Sequence, residues 1–150
     1  MIGGEKMKKY VLAVAVLSLP VLLTGCGNKK TLNCSVEADG EKVEANFVYA
    51  GDKFSSGKIT MEMDYEKAGL SEDMIKQVKE MKMCDTMTQA SADDEDLAKS
   101  FDKCTEKWSG SKLTLTITLK KSLGDVKGYK TIDEAKKTIE KSDGYTCKIK

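Results

Sequence analysis

Five cysteines hold most of the chemical potential of this 150-residue chain, and their spacing divides them. Cys26 stands alone behind an apolar run, between Gly25 and Gly27. Cys34, Cys84, Cys104 and Cys147 are spread along the remainder. A lone thiol among small residues is open to alkylation at sulfur. An even set of four in an exported domain reads as two disulfides, with three connectivities available, and reduced thiols are the alternative where no strong oxidant is present. No Cys-x-x-Cys spacing occurs, which argues against a thioredoxin-like redox pair or a zinc knuckle.

Other motifs invite chemistry and then fail on spacing. Asp93, Asp94, Glu95 and Asp96 lack the alternating ligands and the glycine of a calcium loop, and acids belong at a positive helix start. Met74, Met81, Met83, Cys84 and Met87 are soft enough for copper(I), but at helical spacing Met83 falls opposite Met74, and core filling explains them better. Gly51 to Ile59, G-D-K-F-S-S-G-K-I, approaches a phosphate loop, yet Ile59 stands where Ser or Thr would meet magnesium, and a strand follows instead of a helix. Ser55 with Lys58, and Ser109 with Lys112, have the spacing of an acyl-transfer pair, which requires one helical turn; both lie in turns entering strands. No catalytic residue, metal-ligand set or cofactor is expected.

Composition narrows the field further. Every basic residue is lysine, and the chain has no arginine and no histidine. It therefore lacks the planar fork for bidentate phosphate or carboxylate recognition, and also the usual neutral-pH base and commonest metal ligand. Basic and acidic residues nearly cancel, at 25 against 24. That balance argues against nucleic acid as a partner, which would need a concentrated basic face.

Residues 1–25 read as a leader and not as part of the fold. Lys8 and Lys9 precede the apolar stretch Tyr10 to Leu23, which is short for a membrane span and right for a secretory signal. Gly3-Gly4-Glu5-Lys6 is what a purine-rich ribosome-binding site would encode, which points to translation starting at Met7. The end of the leader, Leu23-Thr24-Gly25-Cys26, resembles a lipobox, the cleavage site of bacterial lipoprotein precursors. The resemblance implies diacylglyceryl transfer to the Cys26 sulfur and cleavage before Cys26. Loss of the leader removes Glu5, Lys6, Lys8 and Lys9, leaving 22 lysines against 23 acids. Residues 26–30 then form a tether, with Lys29 and Lys30 near anionic headgroups, and residues 31–150 form one domain.

The elements of that domain follow from periodicity. Leu32, Cys34 and Val36 alternate in a first strand, Val43, Ala45, Phe47 and Tyr49 in a second, and Ile59, Met61, Met63 and Tyr65 in a third, with Ala38 to Glu41 a hairpin signal between the first two. Ser71 is a candidate N-cap for a helix with Met74, Val78 and Met81 on its apolar face. Ser91 is the candidate cap of a second helix reaching Leu97 and Phe101. Ser109-Gly110-Ser111 turns the chain into a strand with Leu113, Leu115, Ile117 and Leu119 on one face and Thr114, Thr116 and Thr118 on the other. Thr131 and Glu134 form a capping box for a helix bearing Ile132, Ala135 and Ile139, and a last strand carries Tyr145, Cys147 and Ile149. If first and last strands are neighbours, the disulfides are Cys34 to Cys147 and Cys84 to Cys104.

This order of parts predicts an α+β fold: an antiparallel sheet of about six strands, βββ-αα-ββ-α-β, with helices packed on one face. From Tyr65-Glu-Lys-Ala-Gly-Leu-Ser71 through Lys107-Trp-Ser-Gly-Ser-Lys-Leu-Thr-Leu-Thr-Ile-Thr118 to Thr131-Ile-Asp-Glu and Gly144-Tyr-Thr-Cys147, the chain resembles the YehR-like bacterial lipoproteins, a family built on a domain of unknown function. It differs from that family by its four further cysteines. The resemblance implies a lipid-anchored domain without assigned activity and supplies no site residues. The expected role is a non-catalytic binding or structural module of the cell envelope. It would be held on the extracytoplasmic side of the cell membrane through Cys26, with an envelope protein or cell-wall polymer as partner. A small-ligand or metal carrier is the alternative. The threonine face, with Trp108 beside it, is the expected binding surface.

Overall fold

The computed structural model describes residues 28–142 and 144–150. Six strands form one sheet: β1 (Lys29–Ala38), β2 (Glu41–Ala50), β3 (Lys53–Asp64), β4 (Phe101–Ser109), β5 (Lys112–Leu119) and β6 (Thr146–Ile149). The helices are α1 (Glu72–Glu80), α2 (Met83–Asp93), α3 (Glu95–Ser100) and α4 (Ile132–Glu140), with a 3-10 turn at Lys121–Asp125. The sheet order is β4-β5-β3-β2-β1-β6, every pairing antiparallel. The chain is an α+β fold, and its first and last strands are neighbours.

Tight turns fix this order locally. Between β1 and β2, Asp39 and Gly40 have φ of 47° and 85°, the pattern of a type I′ turn whose twist matches its strands. Gly51 and Gly110, each with φ of 62°, open the other two hairpin loops. Register then places the apolar set on one face. Leu32, Cys34, Val43, Ala45, Phe47, Tyr49, Phe54, Leu113, Leu115 and Ile117 are all buried there. Leu123, from the 3-10 turn, and Ile132 and Ala135, from α4, close over them. Complete burial of a side chain such as Leu32 or Leu113 stabilises the fold by about 2 kcal/mol.

Gly57 shows how tightly this core is drawn. A Cβ there would sit 2.8 Å from Phe47 Cδ1 and 2.9 Å from Phe54 Cζ, so the two rings meet over a position that only glycine fits. The phosphate-loop resemblance of Gly51 to Ile59 thus resolves into a hairpin turn and a close-packed strand.

The helices depart from expectation in two places. Ser71 caps α1 as predicted, its hydroxyl accepting from the Met74 amide at 3.4 Å. The buried residue of α1 is however Ile75; Met74 and Met81 are 55% and 64% exposed. The single helix predicted from Ser91 is instead two. Ser91 lies inside α2, buried, with its hydroxyl donating to the Thr88 carbonyl at 2.8 Å. Asp94 separates α2 from α3 and accepts from the Leu97 amide at 3.1 Å, so the acidic run does cap a helix start. Phe101 begins β4, and Leu97 is exposed. Thr131 caps α4 as predicted, accepting from the Glu134 amide at 3.3 Å.

Candidate functional site

Cys26 lies outside the described residues, but the point where the chain joins the sheet is clear. The Asn28 carbonyl accepts from the Gly51 amide at 3.0 Å, and Lys29 pairs with Ala50. The sheet therefore starts at Lys29, two residues before the Thr31 boundary that the sequence predicts. Lys29 and Lys30 belong to β1 and not to a free tether.

Both expected disulfides are formed. Cys34 and Cys147 face each other across β1 and β6 with Cα atoms 4.1 Å apart. Thr31 and Lys150 exchange both backbone hydrogen bonds, so three residues on, Cys34 and Cys147 occupy a non-hydrogen-bonded pair, where side chains approach most closely. The Cys147 amide, turned away from β1, donates to Glu140 Oε1 at 3.3 Å, which ties α4 to the outer edge of β6. Cys84 and Cys104 join the start of α2 to β4, with Cα atoms 5.4 Å apart.

Beside the second disulfide stands an aromatic pair, separate from the Phe47, Tyr49, Phe54 and Tyr129 rings of the core. Trp108 stacks on Tyr65 with ring centroids 5.6 Å apart and planes at 23°, and Lys79 Nζ from α1 lies 5.2 Å from the Trp108 ring. Its indole N–H donates to Glu106 Oε1 at 2.7 Å, while Glu106 Oε2 accepts from the Cys84 amide at 3.3 Å. Burial, with the Glu106 and Glu41 carboxylates adding to it, raises the Tyr65 hydroxyl above its ordinary pKa. Each polar group here is already engaged, and the cluster welds α1, α2 and β4 together.

The position of Trp108 corrects the sequence reading. It pairs with Leu113 across the two-residue β4–β5 loop, so it lies on the helix-covered face and not beside the threonines. The two-residue loop was the signal: direct partners in a hairpin share a face. Thr114, Thr116 and Thr118 do lie together on the opposite face. Thr116 stands between Thr60 of β3 and Thr105 of β4, a ladder of three. Lys42 and Glu44 pair at 2.8 Å on this same face, and the hydrogen bond to Glu44 raises the lysine above its usual range.

A second buried polar group belongs to the core. The Tyr49 hydroxyl donates to the Tyr129 carbonyl at 2.9 Å, and its pKa is pushed up to about 12, first by burial and then by Tyr129 and Glu134. Nothing in the sequence pattern marked this bond beyond a tyrosine on an apolar strand face.

Among the described residues no group of three or more His, Cys, Asp or Glu side chains could hold a metal ion. No described helix is long and apolar enough to cross a membrane. The described surface includes a depression of about 620 Å³ lined by Lys99, Ser122, Asp125, Val126 and Lys127, and one of about 300 Å³ at the hairpin end of the sheet between Glu37, Glu62, Lys67 and Lys112.

No protein-family model matches the chain, and no curated protein matches it. Among solved structures it is similar to the NMR structure of a protein from Streptococcus pneumoniae TIGR4, at 16% identity and a TM-score of 0.42, over 87% of this chain and 92% of that one.

Proposed function

We propose that the protein is a lipid-anchored envelope module, held through Cys26 on the extracytoplasmic side of the cell membrane, with a binding or structural role and no catalysis. The observation that carries this reading is the pair of disulfides, Cys34–Cys147 and Cys84–Cys104, which fits an oxidising compartment outside the cytosol. With those four cysteines paired, Cys26 is the odd one, and it stands at the end of the lipobox-like stretch Leu23-Thr24-Gly25-Cys26. A lipid there would hold the domain near the bilayer, because β1 begins three residues later. The partner on this reading is an envelope protein or a cell-wall polymer.

Cys26→Ser tests it in the full-length precursor. The wild type should take up radiolabelled fatty acid and fractionate with membranes, while Cys26→Ser takes up none and keeps its uncleaved leader. Equal labelling of the two would refute the assignment.

A further inference from the structure

The open face of the sheet is divided in charge along the strands, between the end where β1 starts and the far end. Three rows of side chains nearest the start of β1 run Lys53–Ala50–Lys29, then Ser56–Val48–Thr31–Lys150, then Lys103–Thr118–Lys58–Asn46–Asn33–Lys148. Lys29, Lys53, Lys58, Lys103, Lys148 and Lys150 are all exposed, and no acid occupies a register position in these rows. Asp52, in the β2–β3 turn, and Asp102, at the β4 bulge, are the nearest acids in sequence. The far half of the same face carries Lys42, Lys107 and Lys112 against Glu37, Glu44, Glu62 and Asp64. There Lys42 is paired with Glu44, and Lys112 with Asp64 at 3.8 Å. None of the six lysines of the near half makes an ion pair among the described residues.

We infer that this lysine half-face is a docking surface for the anionic lipid headgroups of the membrane that carries the anchor, so that the domain lies tilted on its open face. The inference rests on the anchoring of Cys26 proposed above. Cys26 to Lys29 spans about 10 Å when extended. Lys29 to Asn33 adds about 13 Å along β1. Were the strands upright, the row of Lys58, Lys103 and Lys148 would stand about 23 Å from the bilayer, more than twice the screening length of roughly 8–10 Å in physiological salt. Tilting about the short tether brings all six ammonium groups to the surface, where each adjacent lysine strengthens binding to an anionic leaflet. The far half, with its paired charges and threonine ladder, then turns toward the envelope.

Lysine footprinting of the lipidated mature protein tests this orientation. The protein is incorporated into vesicles of phosphatidylcholine alone, or with about a third phosphatidylglycerol, and amine acetylation is read by mass spectrometry. Lys58, Lys103 and Lys148 should be acetylated at least about threefold more slowly on the anionic vesicles, with Lys42, Lys107 and Lys112 unchanged. High salt should abolish the difference, and Lys58→Glu/Lys103→Glu should release Lys148 from protection, whereas Lys107→Glu/Lys112→Glu should not. Equal acetylation on the two vesicle types, in a protein bound to both, overturns the docking surface and leaves the anchor standing. A chain that fails to join neutral vesicles refutes the anchor, and the orientation with it. Protection by a soluble anionic cell-wall polymer, without protection by the anionic vesicles, would assign the half-face to that polymer and overturn the lipid reading.

Discussion

Severing the Cys34–Cys147 bridge should cost this domain more than any other single covalent change. The two residues are 113 apart in sequence, against 20 for Cys84 and Cys104. In the chain-entropy account, closing the longer loop withdraws about 16 cal/mol/K from the unfolded ensemble, or roughly 4.8 kcal/mol at 25 °C, and the shorter about 3.3 kcal/mol. At about 2.1 cal/mol/K of unfolding entropy per residue over residues 28–150, those figures correspond to falls in Tm of roughly 19 °C and 13 °C. Cys34→Ala/Cys147→Ala and Cys84→Ala/Cys104→Ala should be compared by calorimetry and by urea unfolding read from Trp108, the single tryptophan of the chain. The urea m-value should rise most in the first variant, because its unfolded chain is freed over the greater length. If the first variant melts within a few degrees of wild type, or loses less than the second, the long loop is not what the bridge constrains and the reasoning fails.

Three further changes probe the core and the turns. Tyr49→Phe removes the donor to the Tyr129 carbonyl and should cost about 1–2 kcal/mol at neutral pH. A folded-state pKa of about 12, raised from 10.0, means that wild-type stability is intact below pH 10 and falls by about 2–3 kcal/mol between pH 10 and 12; Tyr49→Phe should lack that part of the alkaline loss in urea titrations. Gly57→Ala forces a methyl group against Phe47, Phe54 and Leu119 and should destabilise by about 1–3 kcal/mol in the same assay. Lys82, between α1 and α2, holds φ of 46°, and Lys82→Gly should raise stability by about 1 kcal/mol through relief of the left-handed backbone.

The strands were legible because alternation, two-residue turns and burial agree. Val43, Ala45, Phe47 and Tyr49 predicted β2, and Leu113, Leu115 and Ile117 predicted β5, with the buried residues on the expected side. Alternation placed Cys34 and Cys147 on one face of their strands, but the adjacency of first and last strands was only a condition of that pairing, and it is met in the sheet. The helices were less legible, because α1 and α2 are short and the stretch from Met74 to Met87 holds four methionines, a residue that fills core and surface positions alike. Ile75 and not Met74 is the buried residue of α1, while Ser91, a good cap residue by type, is taken up inside α2. Lys121–Asp125 carries no apolar periodicity, yet its Leu123 enters the core, and a Cβ on Gly124 would come 2.8 Å from Phe54 Cβ. Charge segregation on the open face could not be read in advance. It depends on register across six strands, and Lys29, Lys58, Lys103 and Lys148 meet only once that register is known.

The intact mass of the mature protein taken from its native membrane bears most directly on lipid anchoring. The chain should begin at Cys26, carry a diacylglyceryl group on that sulfur and four hydrogens fewer than the reduced polypeptide, the signature of two disulfides. A mature chain that retains residues 1–25, or one that begins at an unmodified Cys26, would contradict the account.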